Sequence, residues 1–212
     1  NDTGLNTGGM GTIAPNPYYT PAVAQRCMEE IFLPTIRAME AEGCPFKGCL
    51  YFGLMLTPDG PKVIEYNCRF GDPEAQVVLP LLDSDLLTVM NACTNGTLAD
   101  TEVKFRDGAA ACVILASGGY PVSYEKGKEI TGLTEGLLPG AEDVTVYHAG
   151  TAVKDGKLVT SGGRVLGVTA TGGDLPAALA KAYQAADQIH FDKLHRRSDI
   201  GRRALQALEA RK

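Results

Sequence analysis

Several features that define common classes of protein are missing from this sequence of 212 residues. No apolar run approaches the roughly 20 residues that a membrane-spanning helix needs, and no basic segment followed by an apolar one indicates secretion. Basic residues are in the minority, 20 against 25 acidic ones, and the net charge is −5. We therefore expect a cytoplasmic protein that binds neither membranes nor nucleic acid, although a local basic patch could hold a small anion.

The six cysteines lack the spacing of a metal or redox site. They stand at positions 27, 44, 49, 68, 93 and 112, without a Cys-x-x-Cys pair or a Cys/His ligand pattern. Five of them have apolar or strand-like neighbours. We expect reduced and mostly buried thiols, as is usual in a cytosolic protein.

What is present describes an ordinary packed protein. Hydrophobic residues make up 44% and charged residues 21%, and the length suits one large domain or two small ones. We find no internal repeat and no low-complexity tract. The sequence does not begin with a methionine, and its first residues, "NDTGLNTGGMGT", form a glycine-rich loop. We therefore expect the C-terminal part of a longer polypeptide.

The first half of the chain predicts one α/β unit. Thr20 and Pro21 are typical of a helix start, Gly43 is typical of a helix stop, and Pro34 predicts a kink between them. "GCLYFGLML", "TPDG" and "PKVIEYN" then predict a β-hairpin. Because the first arm is almost entirely apolar, we expect both of its faces to be covered. "SDLLTVMNACTNG" predicts a further helix, with Ser84 near its start.

The second half predicts an α+β module with one sheet. A boundary is expected near residues 105–108, within "FRDGAA". Strands are predicted in "AAACVILAS", "KEITGL", "DVTVYHAG", the hairpin "TAVKDGKLVTSGG" with its turn at Asp155–Gly156, and "RVLGVTATG". Two helices follow, in "DLPAALAKAYQAADQIHF" and "SDIGRRALQALEA".

Polar side chains crowd the end of the first hairpin, in "VIEYNCRFGDPEAQ". Alternation along a strand places Val63, Glu65 and Asn67 on one face. A carboxylate beside an amide oxygen suits Mg²⁺, which is usually held by one or two protein oxygens together with substrate phosphates and water. Arg69 follows where the strand gives way to a loop, so its guanidinium can grip phosphate oxygens.

Other interpretations of this segment remain open. Asp72 and Glu74 could orient Arg69 or hold a substrate amine. Glu65 and Arg69 could instead form an ordinary ion pair at the end of a sheet. The Glu-x-Asn-x-Arg pattern alone does not decide between these interpretations.

The segment "EYNCRFGDPEAQ" resembles the ATP-grasp ligases, in which Glu-x-Asn-x-Arg closes the nucleotide site. "RFGDPEAQ", with "NTGGMG" upstream, is similar to the phosphoribosylamine–glycine ligase family of purine biosynthesis. "GGYP", "HAGT" and "GGRVLGVTA" follow in that family's order, so the resemblance covers essentially the whole chain. It implies the C-terminal part of an ATP-grasp domain, residues 1–106, followed by a small α+β substrate-binding domain, residues 107–212.

The resemblance also implies a reaction. ATP phosphorylates glycine to a glycyl phosphate, which 5-phosphoribosylamine attacks to give glycinamide ribonucleotide, ADP and phosphate. ATP and Mg²⁺ (or Mn²⁺) are the implied cofactors, and small molecules are the implied partners. Because relatives grip ATP with a lid and an N-terminal domain that lie upstream, the missing N-terminal half of the same polypeptide is a further expected partner, and this chain alone is expected to be inactive.

The resemblance assigns roles to individual residues. Glu65 and Asn67 are the implied metal ligands, and Arg69 the catalytic residue that neutralises the transferring phosphoryl group. Met55 is expected to pack against the nucleotide, although core filling is an equally good explanation. The implied substrate-binding residues are Asn6, Thr7, Gly8, Gly9, Met10, Gly11, Asp72, Glu74 and Arg164.

Some of these assignments have structural alternatives. The glycine-rich loop is not a Walker phosphate loop, because no Gly-Lys-Ser/Thr follows, and its composition also fits a plain turn. Arg164, after two glycines and at a strand start, suits the ribose 5-phosphate but could be a surface ion pair. We expect His148 to be structural, and we assign no role to His190 and His195.

Three classes of protein are therefore compared. The leading one is the glycine-adding ligase. Another ATP-grasp carboxylate–amine ligase or carboxylase is the second, and "RFGDPEAQ" argues against it. A non-catalytic remnant of the fold is the third, and the joint presence of Glu65, Asn67 and Arg69 argues against it.

Overall fold

The computed structural model describes residues 3–141 and 143–211. The chain contains both helices and antiparallel strands, and its residues group into two compact units. The first unit comprises residues 1–15, 72–81 and 107–212, and the second comprises residues 16–71 and 82–106. The chain passes between the units at four points, one of which is the predicted boundary between residues 106 and 107. The division of the chain into two contiguous domains, residues 1–106 and 107–212, stays a prediction.

A five-stranded antiparallel sheet forms the centre of the first unit. Its strands follow the order β1 (Gly11–Ala14), β4 (Ala109–Ser117), β8 (Arg164–Gly172) and β5 (Val144–His148), with β9 (Leu194–His195) also paired to β4. Strands β4, β5 and β8 lie where the sequence predicts them. Strand β1 was not predicted, and it attaches the glycine-rich loop directly to the sheet.

Strand β4 is covered on both faces. All nine of its residues are buried, and alternate side chains join different clusters. Val113 and Leu115 pack in clusters that include helix α5 (Leu175–Ala186), whereas Ile114 packs with residues from the other side of the sheet. Each large side chain that is fully buried in this way contributes about 1.5–3 kcal/mol to folding.

Shorter elements complete the first unit. Helix α3 (Ala75–Val78) continues into a 3₁₀ turn at Leu79–Leu81. Strands β6 (Thr151–Lys154) and β7 (Lys157–Thr160) form a separate hairpin that turns at Asp155 and Gly156, as predicted. These two residues have φ of 51° and 75°. The final helix, α6, covers Arg202–Glu209.

Two details of the prediction for this unit are wrong. The module contains a main sheet and the separate β6–β7 hairpin rather than one sheet. "KEITGL" forms no strand, since Glu129 and Thr131 make only isolated bridges, to Val159 and His190. These pairings are long-range, so local sequence could not place them.

The second unit begins with a nearly continuous helix. Helix α1 covers Pro21–Cys27, a π-helical segment covers Met28–Phe32, and helix α2 covers Leu33–Ala41. The hydroxyl oxygen of Thr20 accepts from the Val23 N–H, so the predicted start is confirmed. The π segment ends at Phe32, two residues before Pro34, which has no N–H to offer the preceding turn. The kink itself stays a prediction.

The predicted hairpin forms from β2 (Tyr51–Thr57) and β3 (Gly60–Asn67). The prediction that both faces of its first arm are covered is wrong for the residues that the structure describes. No residue of β2 is buried, and Met55 and Leu56 are 54% and 43% exposed. An apolar composition alone therefore does not show that other residues of this chain cover the strand.

The rest of the second unit is helical and irregular. Helix α4 covers Leu86–Asn95, with the Asp85 carboxylate accepting from the Thr88 N–H, and a 3₁₀ turn covers Leu98–Asp100. Among the described residues no helix is long and apolar enough to cross a membrane. All six cysteines are free thiols, but only Cys27 and Cys112 are buried, so the expectation of mostly buried thiols is wrong.

Candidate active site

The predicted site residues fall into two groups, one in each unit. Glu65, Asn67, Arg69 and Met55 belong to the hairpin of the second unit. The glycine-rich loop, Asp72, Glu74 and Arg164 belong to the first unit.

Strand pairing places the two predicted metal ligands on the same face of the hairpin. Glu65 is paired with Gly53, and Asn67 with Tyr51, two residues further along each strand. A Cβ added at Gly53 would lie 2.8 Å from Cγ of Glu65, so the absence of a side chain there makes room for the carboxylate arm. The register shifts after Gly53, so that Leu54 pairs with Val63. Val63 therefore does not share this face, and that detail of the prediction is wrong.

A chain of hydrogen bonds joins the three polar side chains. Nη2 of Arg69 donates to Oδ1 of Asn67 at 3.3 Å, and Nδ2 of Asn67 donates to Oε1 of Glu65 at 3.1 Å. Nη1 of Arg69 also donates to the Phe70 carbonyl at 2.8 Å. The simple ion pair that we considered is not what forms, because an amide stands between acid and base.

This arrangement fits a divalent cation and a phosphate chain. A carboxylate and an amide oxygen on one exposed face are hard donors of the kind that Mg²⁺ takes. Two of the five N–H groups of the Arg69 guanidinium are used in the contacts above, so the others can meet phosphate oxygens.

Met55 lies on this same face. In β2 it alternates with Tyr51 and Gly53, the partners of Asn67 and Glu65. With 54% of its surface exposed it fills no core among the described residues. Its contact with the nucleotide stays a prediction.

Aromatic packing holds the opposite face of the hairpin. The rings of Phe32 and Phe52 are 4.5 Å apart, and those of Phe52 and Tyr66 are 5.3 Å apart. The hydroxyls of Thr35 and Tyr66 share a hydrogen bond of 3.4 Å. The helical side of the unit thus fixes the hairpin and leaves the Glu65–Asn67 face open.

In the first unit, the side chain of Arg164 donates hydrogen bonds to the glycine-rich loop. Its Nη1 donates to the carbonyl of Gly8 at 2.8 Å, to that of Gly9 at 3.4 Å and to that of Asp72 at 2.9 Å. Its Nη2 forms an ion pair of 2.8 Å with Oδ2 of Asp72. Arg164 therefore contacts the predicted substrate loop through backbone carbonyls, and it also forms an ion pair, the alternative that we considered for it.

The "RFGDPEAQ" segment adds further contacts around Asp72. Oδ1 of Asp72 accepts from Nε2 of Gln76 at 2.9 Å, so both carboxylate oxygens have a partner. The carbonyl of Glu74 accepts from the N–H groups of Val77 and Val78 and so starts helix α3. Within the first unit, Asp72 therefore orients Arg164.

Two residues of the loop lead into the sheet. Met10 is 8% exposed and packs with Val77, Cys112 and Ile114. Gly11 begins β1 and pairs with Val113. Burial raises the pKa of Cys112 to about 11, so beneath the Arg164–Asp72 pair it stays a neutral thiol at physiological pH.

Tyr120, in the "GGYP" motif, was not predicted as a site residue. Its hydroxyl oxygen accepts from the Gly8 N–H at 3.2 Å. A Cβ at Gly163 would lie 2.3 Å from Cδ2 of the Tyr120 ring and 3.0 Å from Cε1 of Tyr124. The glycine before Arg164 is therefore required for the ring to sit where its hydroxyl reaches the loop.

A cavity of about 640 Å³ opens beside the loop, within the first unit. Asn6, Thr7 and Met10 line one wall, and Tyr120 with Pro121 another. The third wall is the segment 195–199, in which the sequence analysis assigned no role to His195. No local signal could have placed that segment beside a loop almost 190 residues away.

His148 has the structural role that we expected. One ring nitrogen, Nδ1, lies 3.0 Å from the Thr151 hydroxyl, and Nε2 lies 2.9 Å from the Gly136 carbonyl. Because a carbonyl only accepts, Nε2 carries the proton and donates it. The ring ties the loop before β5 to the β6–β7 hairpin.

Comparison with known proteins agrees with these motifs. The sequence model "Phosphoribosylglycinamide synthetase, ATP-grasp (A) domain" matches residues 1–75, and the model of the C domain of the same synthetase matches residues 110–203. Phosphoribosylamine–glycine ligase of Synechocystis sp. is 52% identical over 206 residues, 96% of this chain and 48% of that protein. The trifunctional purine biosynthetic protein adenosine-3 of Gallus gallus is 50% identical over 98% of this chain and 20% of that protein.

Solved structures show the same relationship. The crystal structure of phosphoribosylamine–glycine ligase from Thermotoga maritima superposes with a TM-score of 0.82 at 41% identity, covering 94% of this chain and 48% of that one. The biotin carboxylase domain of the Hydrogenobacter thermophilus 2-oxoglutarate carboxylase superposes with a TM-score of 0.60 at 16% identity, covering 88% of this chain and 40% of that one. At that identity the second likeness shows the fold alone.

The fold and its motifs define an ATP-grasp protein, as the sequence predicts. Within that class the chain belongs to the phosphoribosylglycinamide synthetase family. It spans about half the length of curated relatives such as the Synechocystis ligase, of which it covers 48%.

Proposed function

We propose that this chain is part of a cytoplasmic ATP-dependent ligase of purine biosynthesis. The enzyme joins glycine to 5-phosphoribosylamine through a glycyl phosphate and yields glycinamide ribonucleotide, ADP and phosphate. A carboxylate is a poor electrophile because its leaving oxygen is charged, so phosphorylation must come before attack by the amine. The protein's task is then to position three anionic species and to stabilise the charge that develops.

The hydrogen-bonded series Arg69–Asn67–Glu65 is the observation that carries this proposal. Scaffold proteins have no need of an acid, an amide and a guanidinium aligned on one exposed hairpin face. Phosphoryl transfer needs such a set, since the charge of a phosphate chain is spread over several oxygens.

Glu65 and Asn67 would hold Mg²⁺ or Mn²⁺, and the bound ion would neutralise the phosphate chain of ATP. Arg69 would donate hydrogen bonds to the transferring phosphoryl group from the N–H groups that the protein leaves unused. Met55 would pack against the nucleotide from the same face of the hairpin. The aromatic contacts behind the hairpin keep these side chains in place.

The glycine-rich loop would bind the other substrates. Asn6 and Thr7 offer side-chain hydrogen bonds, and the backbone from Gly8 to Gly11 can approach a ligand closely. Arg164 holds the loop in place through its carbonyls, and Asp72 orients Arg164. Arg164 therefore serves substrate binding through the loop that it fixes, and Glu74 through the start of helix α3.

The remaining parts of the nucleotide site are proposed to lie in the N-terminal half of the same polypeptide. That half would supply the lid and the groups that contact adenine. We expect the 212 residues alone to bind ATP weakly and to show no turnover.

The test measures ADP release by the full-length enzyme and by these 212 residues side by side. We expect release by the full-length enzyme that depends on both glycine and 5-phosphoribosylamine, and none by the shorter chain. Release that depends on bicarbonate or formate would identify a different ATP-grasp enzyme. No substrate-dependent release from the full-length enzyme would leave a non-catalytic binding protein.

A further inference from the structure

Two of the six cysteines are far apart in the sequence and lie next to each other in the second unit. Cys49 stands two residues before strand β2, and Cys93 lies in the last turn of helix α4. The Cys93 thiol donates a hydrogen bond to the carbonyl oxygen of Gly48, with 3.9 Å between sulfur and oxygen. Because Gly48 directly precedes Cys49, the fold brings together two thiols that no redox spacing in the sequence connects.

This contact limits the distance between the two cysteines. In a trans peptide the carbonyl oxygen lies about 2.8 Å from the next Cα, so Sγ of Cys93 is within about 6.7 Å of Cα of Cys49. Disulfides join Cα atoms that are about 4.4–6.8 Å apart. The two side chains are therefore within the range that a disulfide spans once their χ1 angles turn.

Electrostatics also indicates that the two sulfurs are close. Burial raises the pKa of the Cys49 thiol, and the negative charge of a Cys93 thiolate raises that pKa further. The influence of one charge on another falls off with their separation. The two thiols therefore interact directly, and Cys49 stays protonated at neutral pH until a partner reacts with it.

A second contact holds the same two segments together. Nζ of Lys47 donates to the carbonyl of Thr94 at 3.1 Å. Lys47 stands two residues before Cys49, and Thr94 directly follows Cys93. Contacts on both sides of the thiols thus hold the backbones in place, so a bond between the sulfurs requires little movement of β2 or of helix α4.

Both thiols are accessible to a small oxidant. Cys49 and Cys93 are free and half-buried, whereas Cys27 and Cys112 are buried. A half-buried sulfur admits a molecule as small as hydrogen peroxide more readily than the thiol of a second protein. A bond within one chain is therefore favoured over a bond between two chains.

We propose that Cys49 and Cys93 form a reversible disulfide when the protein meets a hydroperoxide. One thiol, as its thiolate, attacks the O–O bond of hydrogen peroxide and becomes a sulfenic acid, and water is released. The other sulfur then attacks the sulfenic sulfur, and a second water leaves as the S–S bond forms. In total, two thiols and one peroxide give one disulfide and two waters, and the two electrons that the sulfurs lose reduce the peroxide.

The disulfide protects both sulfurs from irreversible damage. A sulfenic acid without a neighbouring thiol is oxidised further to sulfinic and sulfonic acids, which thiol reductants do not restore. Capture by the second thiol prevents this, and a reductant then returns both cysteines. The pair lies beside β2, the strand that pairs with Glu65 and Asn67, so the protection covers the hairpin that carries the predicted metal ligands.

The full-length enzyme is treated with a few equivalents of hydrogen peroxide, digested without reductant and examined by mass spectrometry. We expect a pair of peptides joined through Cys49 and Cys93, which dithiothreitol separates. Cys44→Ser is the matched control, because Cys44 is an exposed thiol five residues before Cys49, and the same link should form in it. Cys49→Ser should form no such link. Irreversibly oxidised Cys93 should then accumulate about threefold or more above the wild-type level.

The same treatment in urea shows how much of the link depends on the fold. A link between Cys49 and Cys93 that is no more abundant in the native enzyme than in urea would overturn the proposal. A native enzyme that joins Cys93 to Cys44 instead would also overturn it, as would equal accumulation of irreversibly oxidised Cys93 in wild type and Cys49→Ser. These measurements follow thiols and not turnover, so their outcome is independent of the proposed ligase reaction.

Discussion

Gly163→Ala is expected to displace Tyr120 and with it the glycine-rich loop. The new Cβ would lie 2.3 Å from one carbon of the Tyr120 ring and 2.8 Å from another, closer than van der Waals contact allows. Gly163 is buried, so the ring must turn or shift. Either movement weakens the hydrogen bond of 3.2 Å from Gly8 to the tyrosine hydroxyl.

Overpacking of this kind costs about 1–3 kcal/mol, and the lost hydrogen bond about 1 kcal/mol more. For a protein of this size, a combined loss of about 2–4 kcal/mol lowers Tm by roughly 4–16 °C. Thermal unfolding of these 212 residues, followed by circular dichroism, measures the change. Gly173→Ala is the matched control, because nothing lies within 4 Å of a Cβ added there.

An unchanged Tm in Gly163→Ala, equal to that of the control, would refute the argument that ring and glycine fit together. In the full-length enzyme the same substitution should raise KM for 5-phosphoribosylamine more than KM for ATP. An equal rise in both would mean that Tyr120 does not act on the substrate loop.

Four further expectations concern single side chains. In the full-length enzyme Glu65→Ala should lose most turnover because the cation is misplaced, and unchanged kcat at saturating Mg²⁺ would contradict that role. Arg164→Ala should release Gly8 and raise KM for 5-phosphoribosylamine severalfold, and a change confined to KM for ATP would contradict it. In native alkylation followed by mass spectrometry, exposed Cys68 should react, whereas buried Cys112 should react only on unfolding. Because the pKa of Cys112 is raised to about 11, its contribution to stability should fall as pH rises from about 9 to 11, and an equal decline in Cys112→Ala would contradict this.

Local signals in the sequence predicted the helix ends and turns that depend on interactions between neighbouring residues. The Thr20 cap and the following Pro21 start the first helix as expected, and Gly43 follows its end with a φ of +75°. The turn at Asp155–Gly156 joins the strands that it was expected to join. The same-face placement of Glu65 and Asn67 also followed from strand alternation alone.

Long-range pairing could not be predicted in this way. Strand β1 pairs with β4, which lies about a hundred residues later in the chain. Nothing in its sequence, "GTIA", indicates that β4 is its partner. The register shift after Gly53 moves Val63 to the other face, although the letters alternate without interruption. Burial of β2 was overestimated because composition does not reveal whether a covering element is present in the same chain.

Only part of the site could be predicted, because the remaining part depends on contacts between residues that are distant in the sequence. Family motifs indicated the loop, Asp72 and Arg164, which the structure brings into contact. Tyr120 and the segment 195–199 join them only through the tertiary fold. Arg196 and Arg197 look like solvated charges until the sheet and helix α5 place them beside the loop.

The discontinuous first unit has a practical consequence for anyone who wishes to isolate it. A fragment that starts at residue 107 would lose Met10 and Val77 and leave Ala110, Cys112 and Ile114 uncovered. It would also strip β1 from β4 and expose a row of unpaired backbone amides and carbonyls on a strand of apolar residues. Open edges of that kind recruit other chains, so such a fragment should precipitate, and fusing residues 3–15 back onto it through a flexible linker should restore the missing edge strand.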